Sequence, residues 1–277
     1  MNTCLISGGP QQKRHENMDI FTKDDLINKL HEIKARGWIP NARRRNAGGV
    51  GNTLEDLLGI QENNLPIPNA AEWELKCQRK RSSSLTTLFH MEPSPRAVRF
   101  VPRMFLPQYG WMHDQAGELY PASEMSFRQT IHGQARSDRG FCVVVDRKTR
   151  KVLISFDASS VDQRHRDWLA SVKSRVGLSE LNPQPYWGFD DLFHKAGTKL
   201  LNCFYVQADV KKVADREHYH YNTIMILRSF SLENFLKAIE DGIILVDFDA
   251  RTGHNHGTKF RIRQGNWDRL YSHVKTI

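Results

Sequence analysis

The chain has 277 residues, 39% of them hydrophobic, and its 40 Lys+Arg against 31 Asp+Glu leave a net charge of +9. That length can bury a large core as one large domain or two small ones. A mean hydropathy of −0.56 fits a soluble globular protein, and no run approaches the ~18 apolar residues of a membrane span. The basic balance, with an isoelectric point of about 9.4, makes a polyanion the first partner to weigh.

Residues 1–18 carry no apolar stretch of the signal-peptide kind and read as a loosely ordered lead-in. Cys4, Cys77, Cys142 and Cys203 lie far apart with no C-x-x-C pair. A zinc site or disulfide framework is therefore not expected, and reduced thiols in a cytoplasmic protein are the simplest account.

The first predicted element is a helix. Thr22 caps it, Asp24 and Asp25 suit its positive end, Leu26, Ile27, Leu30 and Ile33 form its stripe, and Gly37 ends it. A basic loop follows with Arg43, Arg44 and Arg45, then a glycine-rich turn, Gly48-Gly49-Val50-Gly51, opening a short helix over 53–58. Such a turn presents free N–H groups to anions. No Gly-Lys-Ser/Thr follows, so it is not a nucleoside triphosphate loop.

Glu72-Trp73-Glu74-Leu75-Lys76 then reads as a strand. Side chains two apart share a face, so Glu72, Glu74 and Lys76 line one side while Trp73 and Leu75 enter a core. Two carboxylates and an ammonium on one face can hold a divalent metal and position a water. A solvated strand face is the plain alternative. Arg79, Lys80 and Arg81 with Ser82–Ser84 form a basic, hydroxyl-rich turn suited to phosphate oxygens. A second strand spans 85–89.

Residues 96–140, broken by Pro102, Pro107 and Pro121, predict irregular structure with short elements. Two apolar runs, 141–146 and 151–156, form a hairpin expected to extend the sheet of the Glu74 strand. Residues 161–176 read as a mobile or helical connection. A helix over 190–201, strands at 203–208 and 221–227, a Ser231-capped helix over 232–239 and strands at 242–249 and 259–263 complete a mixed α/β (α+β) chain. Glu217-His218-Tyr219-His220 alternates at a strand entrance, where surface histidines are a plainer reading than a metal site.

The C-terminal stretch 247–263 is dense in hydrogen-bonding groups. Arg, Asp, His and Asn are the residue types that read base edges, and Gly253 and Gly257 allow close approach to a partner.

Taken in order, Gly49-Val50-Gly51-Asn52-Thr53-Leu54-Glu55-Asp56-Leu57-Leu58-Gly59, Glu62-Asn63-Asn64, Pro66-Ile67-Pro68, Glu74-Leu75-Lys76 and Leu85-Thr86-Thr87-Leu88-Phe89 resemble the MvaI/BcnI family of type II restriction endonucleases. Arg251-Thr252-Gly253-His254-Asn255-His256-Gly257-Thr258-Lys259-Phe260-Arg261 resembles that family's DNA-reading segment. The resemblance implies a PD-(D/E)XK (MutH-like) nuclease core with a DNA-recognition lobe, here expected over 19–160 and 161–277. It further implies a Mg²⁺-dependent, site-specific hydrolase of double-stranded DNA, acting as a monomer on a short GC-flanked site. A cognate DNA methyltransferase is left open as a partner.

By the same resemblance Glu55 and Glu74 are metal ligands, and Lys76 acts with them in catalysis. Asn69 stands where the family has a ligand aspartate. That substitution implies an inactivated protein, a site in which Glu72 substitutes, or a homologue that binds without cutting; a MutH-type strand-nicking repair enzyme is the further alternative. Arg43, Arg44, Arg45, Arg79 and Arg81 are expected on the DNA backbone. Base readout is expected from Asp247, Asp249, Arg251, His254, His256, Lys259, Arg261 and Arg263, and a minor-groove approach from His90.

Overall fold

The computed structural model describes residues 22–43, 49–60, 73–81 and 83–277. Among these, five α-helices, α1 (Lys23–Ala35), α2 (Gly49–Leu58), α3 (Arg166–Val176), α4 (Phe189–Leu200) and α5 (Leu232–Glu240), pack with fourteen strands in three sheets. Among the described residues, no helix is long and apolar enough to cross a membrane.

The first sheet orders β1 (Ile39–Pro40), β10 (Arg216–Phe230), β9 (Asn202–Val213) and β2 (Glu74–Arg79), with β14 (Tyr271–Thr276) also on β10. β2 runs parallel to β9 and the other pairs are antiparallel. Alternation along β9 divides its side chains: Phe204, Val206 and Ala208 join a core with α1 and α2, whereas Cys203 and Tyr205 enter the larger core beyond. Trp73 and Leu75 follow the first group, as the strand period requires. Each such buried side chain contributes ~1.5–3 kcal/mol.

The second sheet orders β3 (Thr86–His90), β13 (Lys259–Ile262), β11 (Ile244–Arg251), β5 (Met125–His132) and β4 (Trp111–Met112), with β12 (His254–Asn255) on β11. The third is β6 (Arg139–Asp146), β7 (Lys151–Val161) and β8 (Tyr186–Gly188). The predicted 141–156 hairpin therefore exists but does not extend the sheet of Glu74. Its partner is β8, and Phe141, Val143, Val152 and Ile154 pack into the core shared with β5 and α3. The strands of the first sheet come from both sides of residue 160, because β2 pairs with β9 some 130 residues later.

Local chemistry explains several boundaries. Thr22 and Asp25 cap α1 reciprocally. Of the glycine-rich stretch, Gly49, Val50 and Gly51 lie within α2 rather than in a turn before it, and Gly48 lies outside the described residues. A Cβ on Gly49 would stand 2.7 Å from both Asn41 Nδ2 and Tyr219 Oη, so glycine there lets α2 start hard against the sheet. Residues 161–176 end in the regular helix α3, which buries Trp168 and Val172. Much of 96–140 is also regular: Val101–Tyr109 is a wide-wound π-helix with Pro107 inside it, and β5 follows.

Candidate active site and nucleic-acid interface

β2 is an edge strand of the first sheet, and its alternation presents Glu74, Lys76 and Gln78 on the face opposite the α1–α2 core. Lys76 Nζ donates to Glu74 Oε1 at 2.6 Å. Glu74 is only 5% exposed, and its second oxygen, Oε2, is buried without a hydrogen-bond partner. A buried carboxylate oxygen left unpaired costs free energy until something compensates it. Gln78 fixes the far end of the same face: Tyr205 Oη donates to its Oε1 at 2.8 Å, and its Nε2 donates to the Ser84 carbonyl.

Behind Glu74, Cys203 lies directly across the parallel ladder. Its burial pushes the thiol up to about 12, with Lys76 and Glu74 acting in opposite directions on it. Burial also raises the Tyr271 hydroxyl. Cys77 points the other way, toward α2, and its thiol is raised by burial first and then by the Glu55 charge. Glu55 thus acts on the α2 side of β2. Asn69 and Glu72 lie outside the described residues, as do Arg44 and Arg45. Among the described residues no three His, Cys, Asp or Glu gather in a metal-binding cluster, and His218 and His220 fall into other company: His218 Nδ1 contacts the Arg216 carbonyl and His220 packs near Trp38.

The second sheet carries the other constellation. Phe248, Ala250, Phe260 and Ile262 are buried on one face, and the alternate residues form a charge ladder on the other. Asp247 accepts from Thr130 Oγ1 at 2.7 Å and from Arg261 at 3.2 Å. Asp249 accepts from Arg128 Nε at 2.7 Å, with Lys259 at 3.5 Å. Burial opposes ionisation of Asp249, but the Arg128 hydrogen bond and the surrounding cations outweigh it and hold the carboxyl low. Arg251 pairs with buried Glu124 at 3.0 Å and lies over the Tyr120 ring. His254 and His256 are exposed with ring centroids 4.3 Å apart. His90 stands at the exposed rim beside Lys259, and partial loss of hydration of its ring, then Lys259, lower its pKa.

The structure therefore brings Asp247, Asp249, Arg251, Lys259 and Arg261 onto one polar face, with His90, His254 and His256 at its margin. Arg263 stands apart, its Nε donating to the Gly242 carbonyl. Two of the expected backbone grips are engaged elsewhere: Arg79 makes a bidentate pair with Glu217 at 2.8 Å, and Arg43 pairs with Asp56 at 2.7 Å. Arg81 is exposed in the turn after β2, at φ +57°. Arg128, Thr130 and Glu124 went unnoticed in the sequence. The signal was the alternation Ser126-Phe127-Arg128-Gln129-Thr130-Ile131, hidden by the prolines on either side. Between the two constellations, Gln264 Nε2 donates to the Arg79 carbonyl and Arg261 to the Leu85 carbonyl, linking the end of β2 to the charged face.

No curated protein sequence matches the chain. Among solved structures, the chain is similar to the restriction endonuclease MvaI in complex with cognate DNA, with a TM-score of 0.71 and 23% identity over 92% of this chain and 99% of that one. It is also similar to MvaI in the absence of DNA, with a TM-score of 0.51 and 25% identity over 91% and 99%. The model of the MvaI/BcnI restriction endonuclease family matches residues 27–271. Match, fold and the order of the site motifs agree, and the chain belongs to the MvaI/BcnI restriction endonuclease family.

Proposed function

We propose that the protein is a Mg²⁺-dependent, site-specific endonuclease of double-stranded DNA, with a catalytic rate reduced by Asn69. The observation that carries this reading is the Lys76–Glu74 pair at 2.6 Å beside a buried, unpaired carboxylate oxygen. A hard divalent cation takes such oxygens as ligands, so the donor set fits Mg²⁺. Glu74 and the Asn69 carbonyl oxygen are the groups that would hold it; Glu55, a ligand in the family's pattern, acts on the α2 side of β2 and is the further candidate. When bound, the cation supplies charge stabilisation at the phosphate and a more acidic water.

The chain's own residues do the rest. Lys76, anchored by Glu74, is placed to orient the attacking water and to balance phosphate charge. Gln78, fixed by Tyr205, stiffens the strand that carries both. Asn69 offers a neutral oxygen where the family has a carboxylate, which lowers both cation affinity and rate. The charged face of the second sheet reads bases: Arg suits guanine edges and Asp suits the cytosine amino group, in keeping with a short GC-flanked site. In that arrangement the unit bearing β2, α1 and α2 cuts and the unit bearing β11 and β13 reads, in a monomer.

The test is supercoiled plasmid incubated with Mg²⁺, comparing this chain with Asn69→Asp. Linear product from either protein supports the endonuclease, and cleavage by Asn69→Asp alone identifies the disabled ligand position. Asn69 also favours a second reading, a DNA-binding homologue that does not cut; site-selective binding with no cleavage by either protein would establish it. Nicked circles that never become linear would instead mark a strand-nicking enzyme.

A further inference from the structure

A cavity of about 1030 Å³ opens beside the charged face, walled by Arg251–Asn255 on one side and by Arg96 and Arg99 on the other. Phe100 and Leu106 contribute to its apolar lining. Arg96, Arg99 and nearby Arg103 are exposed, and none has a side-chain hydrogen bond or ion pair among the described residues. Other arginines of the described residues are engaged: Arg43, Arg79, Arg128, Arg147, Arg150, Arg164, Arg251 and Arg261 each face a carboxylate. The one acid in the cavity wall, Glu92, is already used, accepting from the Thr258 amide at 2.8 Å and from its hydroxyl at 3.2 Å. Glu92 keeps its charge, but it forms no ion pair with Arg96 or Arg99, and the wall carries more positive than negative charge.

The backbone adds a second sign. Arg99 adopts φ +54°, a left-handed conformation that is unfavourable for a side chain with a Cβ and that tends to persist where it serves a site. It falls at the junction between a single 3₁₀ turn, Arg96–Val98, and the π-helix of 101–109. Arg96 and Arg99 thus leave the fold on a tight bend, facing the loop of 251–255 across the cavity.

We infer that Arg96 and Arg99, extended by Arg103, hold the phosphate backbone of duplex DNA flanking the base pairs read by the 251–255 loop. This rests on the DNA-endonuclease reading above and adds to it a grip that the sequence motifs did not contain. A row of unpaired guanidiniums suits phosphate oxygens. A duplex that reaches the reading loop passes its phosphates over this wall. The contact carries affinity rather than sequence information, so it acts on every duplex long enough to extend past the loop.

The experiment is fluorescence-anisotropy titration of the full chain, without divalent metal, against mixed-sequence duplexes of about 12 and about 30 base pairs at 50 and 200 mM salt. The Arg96→Gln/Arg99→Gln variant is compared with Arg147→Gln/Arg150→Gln, which removes the same charge from arginines already paired to acids. Each phosphate contact contributes a slope of about 0.9 in log affinity against log salt. Two lost contacts make the wild type weaken roughly tenfold more than the Arg96/Arg99 variant on going from 50 to 200 mM. The control should keep the wild-type slope, and the deficit of the Arg96/Arg99 variant should be larger on the long duplex. An unchanged slope, or equal losses in both variants, overturns the inference. So does stabilisation of the wild type, but not the variant, by 1 mM adenosine monophosphate with duplex binding unaltered, which would make the cavity a small-nucleotide pocket. If the wild type binds neither duplex, it is the endonuclease reading itself that fails.

Discussion

Lys76 and Glu74 share one face of a single strand, their charged atoms 2.6 Å apart, and the carboxylate of the pair is almost wholly buried. Its second oxygen has no partner. The arrangement holds an anion ready for a cation while the ammonium keeps its position beside it.

Glu74→Gln tests that arrangement without requiring turnover. Mg²⁺ binding only to the folded state raises stability by about 2.7 kcal/mol at a hundredfold excess over its dissociation constant. The wild type and Asn69→Asp should therefore melt at higher temperature with Mg²⁺ than with EDTA, and Glu74→Gln should show no difference. A Mg²⁺ shift surviving in Glu74→Gln would place the cation elsewhere.

Lys76→Ala should lower the single-turnover cleavage rate of the Asn69→Asp protein by ~10²–10⁴-fold, the range expected for a positioned proton-handling group. Duplex affinity should change little, because one partly buried ammonium adds few phosphate contacts. A matching loss in affinity would show that Lys76 binds DNA rather than serving the chemistry.

Arg251→Ala should relax discrimination between a cleaved site and its single-base variants, each mismatch being worth about 1–3 kcal/mol. It also leaves the Glu124 carboxylate buried and unpaired, since that side chain is 5% exposed. A stability loss of about 1–3 kcal/mol in urea should accompany it. The double change Arg251→Met/Glu124→Gln should recover stability but not discrimination. Recovery of both would assign Arg251 a structural role alone.

His90 and His132 give a signed pH dependence. Burial lowers both, helped by Lys259 at His90 and by Arg263 at His132. A histidine whose folded pKa lies below its unfolded value of 6.5 binds more protons unfolded. It therefore contributes no penalty above that value and destabilises the fold progressively as pH falls below it. Urea unfolding should show the His90→Asn/His132→Asn variant losing less stability than wild type between pH 7 and pH 5. An equal loss would remove both rings from the account.

The strand bearing Trp73, Glu74, Leu75 and Lys76 was legible in the sequence because the period of two is local, and so was the capped helix α1. The hairpin of 141–156 was legible, but not its partner: apolar runs state that a strand is buried without stating against what. β5 and its Arg128 were hidden among prolines whose effect depends on where the chain turns. Arg79 and Arg43 looked like free cations until the fold set Glu217 and Asp56 against them.

By itself, then, the amino-acid order determined the acid–lysine face, the family and the character of the C-terminal reading segment. Each of these is written in side chains a few residues apart. Only the tertiary structure decided which charges are neutralised and which remain to meet a partner. The pairs that neutralise Arg43 and Arg79 join residues 13 and 138 positions apart, and such pairing follows from the packing of the elements rather than from sequence neighbourhood. The buried oxygen of Glu74 and the unpaired wall of Arg96 and Arg99 are both consequences of that packing.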